Sequence, residues 1–480
     1  METKSIRKNF LYNLVYQVLI LILPIITTPY ISRVLGAEGV GIYSFTISIV
    51  TYFILFGSLG VSMYGQREIA YARDDIVKRK KIFWEIILFR FITMAISILV
   101  FILTYATHDI YKEYYQILIV YLLAFAFDIS WFFQGMEEFK KTVIRNVIVR
   151  TLSVACIFMF VKSPEDLSKY LLIYSLADLL GNISLWFYLP QYFKGIKVKH
   201  IIIKRHIIPI ILLFIPQIAV KLYNIVDKTM IGYMITDKSA LGNYEEAYKI
   251  INVLFTIVSS LGIVMVPRIA SIFASGDKKK LNEYILKSFR FTFFLAFPMM
   301  FGIIAVSSEF VPIFLGDGYR DAIAIVNILA PTILGMGITN VIGTQYLLPT
   351  KRQKKYTLSI LTGLVVNVIL NWILINTNGA FGASIATTVS QFAVVIVQMY
   401  YVKRHINLNR AIKSGKKYLI SSSIMFVVCF IIGLIIKEPV ISVVVKVAVG
   451  AITYGLMLIV LGDQYVYEIR NIMRAKLKRK

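Results

Sequence analysis

The chain has 480 residues, 58% hydrophobic, 14% aromatic and 16% charged, against roughly 45–50% apolar and about 25% charged in soluble domains. That balance excludes an ordinary soluble protein. The net charge of +26 would suggest nucleic acid in a soluble chain, but here the basic residues are segregated along the sequence in the manner of a membrane topology signal.

Taking about 20 apolar residues per crossing, hydrophobic windows fall near 9–31, 40–62, 82–105, 114–134, 143–161, 170–190, 206–233, 247–273, 290–313, 323–349, 357–375, 380–402, 417–436 and 440–462. These are fourteen predicted spans of an all-α integral membrane protein, the last two reading as additions to a twelve-span body. The first window follows Lys4, Arg7 and Lys8 but is long and lacks a small-residue cleavage site, so it is expected to stay as a span. Alternate connections separate by charge. The N-terminus, the C-terminal tail and the segments near 63–81, 135–146, 191–205, 268–290, 350–356 and 403–417 carry 39 of the 52 Lys and Arg; the opposite side carries seven, Arg33, Lys112, Lys162, Lys169, Lys238, Arg320 and Lys437. Positive residues stay inside, so both termini are expected in the cytoplasm, with the longest outer connection near 234–246. Cys156 and Cys429 lie far apart in apolar runs, which argues against a disulfide framework or a zinc cluster.

An internal repeat runs through this pattern. Ser58-Leu59-Gly60 and Met63 match Ser260-Leu261-Gly262 and Met265 at an offset of 202, and Gly41 and Tyr43 match Gly242 and Tyr244 at 201. Spans one and seven each carry two prolines, Pro24 and Pro29, Pro209 and Pro216. Six spans separate the copies, so both halves enter the membrane in the same sense. The expectation is two six-helix bundles, residues 1–200 and 201–405, related by a pseudo-two-fold axis along the membrane normal, with 406–480 adding two helices and a basic tail. Intramembrane proline frees a carbonyl that neighbours or water must satisfy, which predicts that spans one and seven face a cavity between the bundles.

Polar residues inside the spans form stripes. At 100° per residue, Gln217, Lys221, Asn224 and Lys228 share one narrow face of span seven. Glu245, Lys249, Asn252, Thr256 and Ser259 share a face of span eight, as do Asn9, Asn13, Gln17, Pro24 and Thr27 on span one. A charge in hydrocarbon costs at least ~2.5–3.5 kcal/mol, so such stripes line water or pair with one another. A lone Asn or Ser is more economically read as helix-to-helix hydrogen bonding; two lysines on one face point to an anion. The acidic residues Asp128, Asp178 and Asp227 are candidates for ion coupling, the alternative being structural pairing with Arg90, Arg150 or Lys228. Glu85, Arg90 and Arg150 lie nearer the cytoplasmic ends and are expected to snorkel. His108, His200, His206 and His405 are scattered over loops and span ends, where an isolated His is usually solvated. No dinucleotide, phosphate-loop, zinc-protease or nucleophile-elbow motif is present, so catalysis is not expected.

The run from Pro29 to Tyr43, PYISRVLGAEGVGIY, and the segment Gly57 to Ala70 resemble the Wzx-type oligosaccharide flippases of bacterial surface-polysaccharide synthesis, as do Trp131-Phe132-Phe133-Gln134-Gly135 and Gly379 to Ser384. That family is grouped with MATE exporters and MurJ-type lipid II flippases. The resemblance implies translocation of an undecaprenyl-diphosphate-linked oligosaccharide across the bacterial cytoplasmic membrane by alternating access, for capsule, exopolysaccharide or O-antigen synthesis. It also implies a lipid-linked oligosaccharide and membrane lipids as partners, further polysaccharide-assembly proteins beside them, no nucleic acid and no cofactor beyond H⁺ or Na⁺ coupling. Arg33 lies in the best-matching run and is carried into the site by resemblance, whereas Lys221, Lys228 and Lys249 rest on the stripe argument. An ion-coupled drug exporter of the MATE type is the alternative, although it calls for an acidic cavity; a membrane polymerase or glycosyltransferase would need a long outer loop or an acidic metal motif.

Overall fold

The computed structural model describes residues 6–193, 201–463 and 465, with side chains from residue 23 onward except those of residues 216 and 263. Among the described residues all regular structure is helical: α1 (Ile6–Ser58), α2 (Val61–Tyr71), α3 (Ile76–Phe101), α4 (Lys112–Ala126), α5 (Ser130–Gly135), α6 (Phe139–Phe160), α7 (Leu167–Trp186), α8 (Pro190–Phe193), α9 (Lys204–Met234), α10 (Lys238–Ser259), α11 (Leu261–Ala274), α12 (Lys278–Leu315), α13 (Arg320–Leu329), α14 (Pro331–Thr339), α15 (Gln353–Val402), α16 (Leu408–Ile435) and α17 (Pro439–Val460).

Among the described residues nine segments are long and apolar enough to cross a membrane, or twelve if each of three bent pairs is one crossing. The bends are 51° between Lys204–Ile215 and Gln217–Met234, 45° between Lys238–Ser259 and Val264–Ala274, and 47° between Asp317–Leu329 and Pro331–Leu347. The fourteen windows of the sequence differ from this count at α1 and α15, each of which runs through two of them. At 1.5 Å per residue the 53 residues of α1 would reach about 80 Å, far beyond a hydrocarbon core of about 30 Å. Both helices contain one non-helical glycine, Gly36 (φ 68°, ψ 175°) and Gly379 (φ 57°, ψ −136°), in a region open to glycine and costly for other residues. At Gly379 the chain reverses: a Cβ on Gly382 would lie 2.0 Å from the carbonyl oxygen of Leu374, a residue about 12 Å away along a straight helix.

The chain divides into two compact units, Met1–Gly232 with Asp237–Gly242, and Tyr233–Thr236 with Asn243–Lys480. The boundaries read from the repeat, 200 and 405, differ from these: α9 packs with the first unit, and α16 and α17 belong to the second.

The first unit holds a dense aromatic core built by α2, α3, α5 and α8. Phe83, Trp131, Phe132 and Phe133 are fully buried, and Phe83 stacks on Trp131 with ring centroids 5.6 Å apart. Gly65 lets α2 lie against that indole, since a Cβ there would meet the Trp131 ring at 2.4 Å. Edge-to-face and offset aromatic pairs of this kind add about 0.5–1.5 kcal/mol each beyond area burial. α9 joins the unit through Thr229, whose hydroxyl lies 3.0 Å from Tyr52 Oη and 3.2 Å from Ser48 Oγ of α1.

The connection expected near 234–246 is much shorter, because α10 already begins at Lys238. Its first turns carry polar residues that depress hydropathy yet are satisfied inside the protein. Asp237 Oδ1 accepts the Ser239 amide at 2.8 Å, and the buried Lys238 ammonium donates to the Gly232 carbonyl at 2.6 Å. Here the two copies of the repeat meet reciprocally within the first unit: a Cβ on Gly41 would lie 1.8 Å from the carbonyl oxygen of Lys238, and one on Gly242 would lie 1.9 Å from that of Ala37. Ala37 and Lys238 stand at the same offset, 201, as the two glycines.

In the second unit α12, α16 and α17 pack together. The Lys446 ammonium of α17, 4% exposed, pairs with Glu309 Oε1 of α12 at 2.5 Å and donates to the Ala305 carbonyl at 2.9 Å. The Tyr454 hydroxyl donates to the Phe294 carbonyl at 2.7 Å. Gln391 of α15 reaches Thr339 Oγ1 of α14 at 3.2 Å, and within α15 Gln398 reaches Ser359 Oγ at 3.1 Å and Asn371 reaches Asn367 Oδ1 at 3.1 Å.

The reciprocal glycine contact yields a test. Gly41→Ala or Gly242→Ala must push backbone against backbone, at about 1–3 kcal/mol each. Because either change separates the same two helices, the double variant should lose less than the sum of the singles. Thermal unfolding of the purified protein reads this; an alanine at either position that leaves the melting temperature unchanged contradicts the close approach.

Candidate functional site

The stripe predicted on α9 survives in three dimensions as an accessible face. Ala219, Asp227 and Ile231 are buried, Lys221 and Asn224 are exposed, and Gln217 and Lys228 are half-buried. Lys221 and Asn224 therefore reach the surface of α9, and a charged stripe in an apolar chain requires water or an ion along it. The helix bends by 51° just before Gln217, at the position of Pro216, as expected where proline removes a backbone donor. Gln217 Nε2 donates to the Leu213 carbonyl at 3.0 Å, one of the groups near that bend.

The other basic candidates are placed differently. Lys249 on α10 pairs with Glu246 Oε1 at 2.8 Å and stands 3.8 Å from Glu245 Oε1, so two carboxylates offset its charge. Asn252 donates to the Tyr248 carbonyl at 3.0 Å, a contact within its own helix. Arg33 is exposed on α1, three residues before the break at Gly36. The structure thus brings Gln217, Lys221, Asn224 and Lys228 together on one helix face, and sets Lys249 and Asn252 on α10 beyond Gly242, in the second unit. Asn9, Asn13 and Gln17 have side chains outside the described residues.

Two of the three carboxylate candidates have arginine partners. Asp128 lies in the break between α4 and α5, where its Oδ1 accepts the Ser130 amide at 2.9 Å and its Oδ2 faces Arg90 at 3.7 Å. Asp178 stands 3.4 Å from Arg150 Nη2, beside Asn182, which accepts from Arg145 at 3.0 Å and donates to the Ala124 carbonyl at 2.7 Å. Asp227 is buried on α9.

Several polar groups depart from the sequence reading. Glu85 and Arg90 are not snorkelling: they are 0% and 1% exposed. His206 is not solvated either. Its Nε2 lies 2.9 Å from Glu85 Oε2 and its Nδ1 lies 2.7 Å from Tyr64 Oη, while Arg205 pairs with the same carboxylate and the Ile202 amide donates to Oε1 at 2.8 Å. The signal lay in the pairing rule: a carboxylate inside an apolar window demands a partner, and the basic Arg205-His206 pair opens α9, a helix of the next half that packs in the first unit. Glu309 was missed for the same reason, since it acquires meaning only beside Lys446.

Outside the spans, burial first and then the nearby cations Arg352, Lys355, Lys278 and Arg404 push His405 below its ordinary value. A positive field therefore covers this end of the second unit. A cavity of about 620 Å³ in the same unit, between α12 and α17, is lined mainly by apolar residues such as Pro298, Met299, Phe310, Val447 and Tyr454. No cluster of three or more His, Cys, Asp or Glu that could hold a metal occurs among the described residues.

Comparison with known proteins defines the class. The family model described as polysaccharide biosynthesis protein matches residues 6–273, and the MatE model matches 211–373. The chain belongs to the polysaccharide biosynthesis protein family, and it is a multi-pass membrane protein. It is 24% identical over 406 residues to a protein of Escherichia coli K12 named "Putative O-antigen transporter", covering 84% of this chain and 97% of that one. It is 26% identical over 260 residues to the lipid II flippase MurJ of Bacillus subtilis, covering 49% of this chain and 48% of the other. Among solved structures, an inward closed lipid II flippase MurJ superposes with a TM-score of 0.70 at 16% identity, over 94% of this chain and 99% of its own. An inward-facing MATE transporter of the MOP superfamily superposes with 0.62 at 15% identity, over 85% and 96%. These likenesses show the fold.

The placement of Asp128 separates its two readings. As a structural partner, Asp128→Asn leaves the Arg90 guanidinium buried without its countercharge and should lower stability by about 3 kcal/mol, with the Arg90→Met/Asp128→Asn protein recovering most of it. Thermal unfolding reads both. A single variant that unfolds normally yet no longer transports would instead assign Asp128 to coupling.

Proposed function

We propose that this protein is a flippase that moves undecaprenyl-diphosphate-linked oligosaccharide from the cytoplasmic to the outer leaflet of a bacterial cytoplasmic membrane, for surface-polysaccharide synthesis. The observation that carries this reading is the accessible Gln217–Lys221–Asn224–Lys228 face of α9 in a chain of a polysaccharide-biosynthesis family. The named relatives, an O-antigen transporter and a lipid II flippase, support the same substrate class.

The chemistry follows from what such a molecule needs. A diphosphate and several sugars cannot enter hydrocarbon without losing their hydration, so a carrier must supply cations and hydrogen-bond donors in a hydrated path. Lys221 and Lys228 are seven residues apart, two turns or about 10.5 Å along the helix, a spacing across which two long flexible side chains can converge on a diphosphate, with Asn224 on the same face for an oxygen or the first sugar. Arg33 is a further anion contact in this reading. The apolar cavity between α12 and α17 supports a hydrocarbon tail in the same transporter. Movement proceeds by alternating access between the two repeats, with Asp227, Asp178 or Asp128 open as the H⁺ or Na⁺ site and other polysaccharide-assembly proteins as partners. Cationic drugs, the cargo of the alternative reading, would be repelled by the α9 lysines.

Both termini are assigned to the cytoplasm by the distribution of Lys and Arg. Thr236, exposed between α9 and α10, and Lys416, exposed on α16, give the test: a membrane-impermeant thiol reagent on intact cells should label Thr236→Cys and spare Lys416→Cys. The reverse pattern inverts the orientation.

For the lysines the expected outcome is loss of flipping with normal abundance. Lys221→Gln or Lys228→Gln removes a charged hydrogen bond worth ~1.5–3 kcal/mol, a roughly ten- to hundredfold loss in binding, while Lys→Arg keeps part of it because charge remains and donor geometry changes. Flipping of lipid-linked oligosaccharide in reconstituted vesicles measures this. Lost abundance rescued by Asp227→Asn, with transport then intact, would show that the lysine charge serves packing and not cargo.

A further inference from the structure

A cavity of about 370 Å³ opens in the second unit where the first turns of α12, the N-terminal part of α16 and the turn after α17 converge. Its walls carry four cationic side chains, Lys287, Arg290, Lys413 and Lys417, against one carboxylate, Asp463. Lys287, Lys413 and Lys417 are exposed, and hydrogen bonds brace the wall around them. Lys417 Nζ donates to the Gly462 carbonyl at 3.0 Å, Tyr465 Oη donates to the Lys287 carbonyl at 3.1 Å, and Asp463 Oδ1 accepts the Tyr465 amide at 3.0 Å. Asp463 is buried and interacts with the Tyr418 hydroxyl, so the single acid is occupied in bracing the wall. Arg290 is half-buried on the inner side, and Phe294, one turn further along α12, closes the apolar end by ring contacts to Tyr418, Tyr454 and Tyr465 at about 6 Å.

Four like charges around one concavity repel each other, and a cavity of this size leaves room for more than water. We propose that this pocket binds a phosphate-bearing anion, its oxygens held by Lys287, Arg290, Lys413 and Lys417. Two sources share that chemistry, the headgroup of an anionic phospholipid and soluble phosphate. The pocket is built from segments that the charge distribution assigns to the cytoplasmic face, so the inference rests on the orientation proposed above; basic pockets between helices at that surface are where anionic headgroups dock. It is separate from the α9 stripe, which lies in the other unit.

The test uses the full chain purified in an uncharged detergent. Native mass spectrometry counts retained phosphatidylglycerol or phosphatidylcholine, and inorganic phosphate is titrated in a parallel thermal-shift arm. The wild type should retain phosphatidylglycerol over phosphatidylcholine, and Lys413→Gln/Lys417→Gln or Arg290→Gln should cut that retention by about fivefold per charge removed. Lys354→Gln/Lys355→Gln, an equal charge loss in another basic connection, should leave it unchanged, and Lys413→Arg/Lys417→Arg should preserve it. A shift with inorganic phosphate that the pocket variants abolish, without selective lipid retention, identifies the soluble source. Equal losses in pocket and control variants, or no selectivity in either arm with melting temperatures unchanged, overturn the proposal. None of these readouts requires transport, so a failed flippase assay and an empty pocket remain distinguishable, and labelling of Lys416→Cys reports the membrane side independently.

Discussion

Hydrocarbon offers no partner to a polar group, and the interior of this protein is arranged around that deficit. Each unit meets it with its own cross-braces. In the first, Glu85 collects Arg205, His206 and the Ile202 amide, Arg90 faces Asp128, and Arg150 faces Asp178. In the second, Lys446 is held by Glu309 and a carbonyl, and Lys249 by Glu246. Apart from the Lys249–Glu246 pair within α10, these contacts join different elements, so ionisable residues that would be liabilities singly become the fasteners of α3 to α9, or α12 to α17. Replacing such a pair with apolar groups need not cost stability; breaking one does. The α9 face stands apart from this economy, since Lys221 and Asn224 remain exposed.

Helix interruption is the second organising feature, and the repeat shows where it matters. Ser58-Leu59-Gly60 ends α1, with Leu59 and Gly60 at positive φ, before α2 begins. Its counterpart Ser260-Leu261-Gly262 falls in the 45° bend between α10 and α11. The same three residue types thus stop or bend a helix in both halves. Where a helix is broken, carbonyls and amides are freed from intrahelical bonds and must be met by side chains, water or ligand.

What the sequence made legible was whatever follows a period or a sign. Apolar windows, the alternation of basic connections, the α9 stripe and the repeat at 201–202 are all one-dimensional patterns. Contacts between distant segments were not. Gly36 and Gly379 fall in the gaps between apolar windows, but hydropathy alone does not separate a sharp break inside one helix from an ordinary loop. The start of α10 was placed too late because Lys238, Asn243, Glu245 and Glu246 read as a polar connection, although each is satisfied by packing. His206 was read as solvated because a histidine's environment depends on what approaches it, here Glu85 from α3 and Tyr64 from α2. The family-like run Trp131 to Gly135 turned out to build the aromatic core with Gly65 and Phe83, a structural role no spacing argument reveals.

A carrier must release what it binds, and that requirement bears on why the α9 face is made of exposed lysines. A diphosphate gripped by buried, hydrogen-bonded arginines would be held by bidentate geometry in low dielectric, where each contact is strong and slow to undo. Lysine presents a compact, hydrated ammonium on a flexible stem, and its donors reorient without a fixed fork. In the proposed role, water reaches Lys221 and screens its contact, so a lysine face would hold a diphosphate loosely enough to release it. The buried Lys446, locked to Glu309, lacks that freedom. The same residue type thus fastens helices where a carboxylate is built opposite it, as at Lys446, and in the proposed function grips cargo reversibly where water reaches it, as at Lys221.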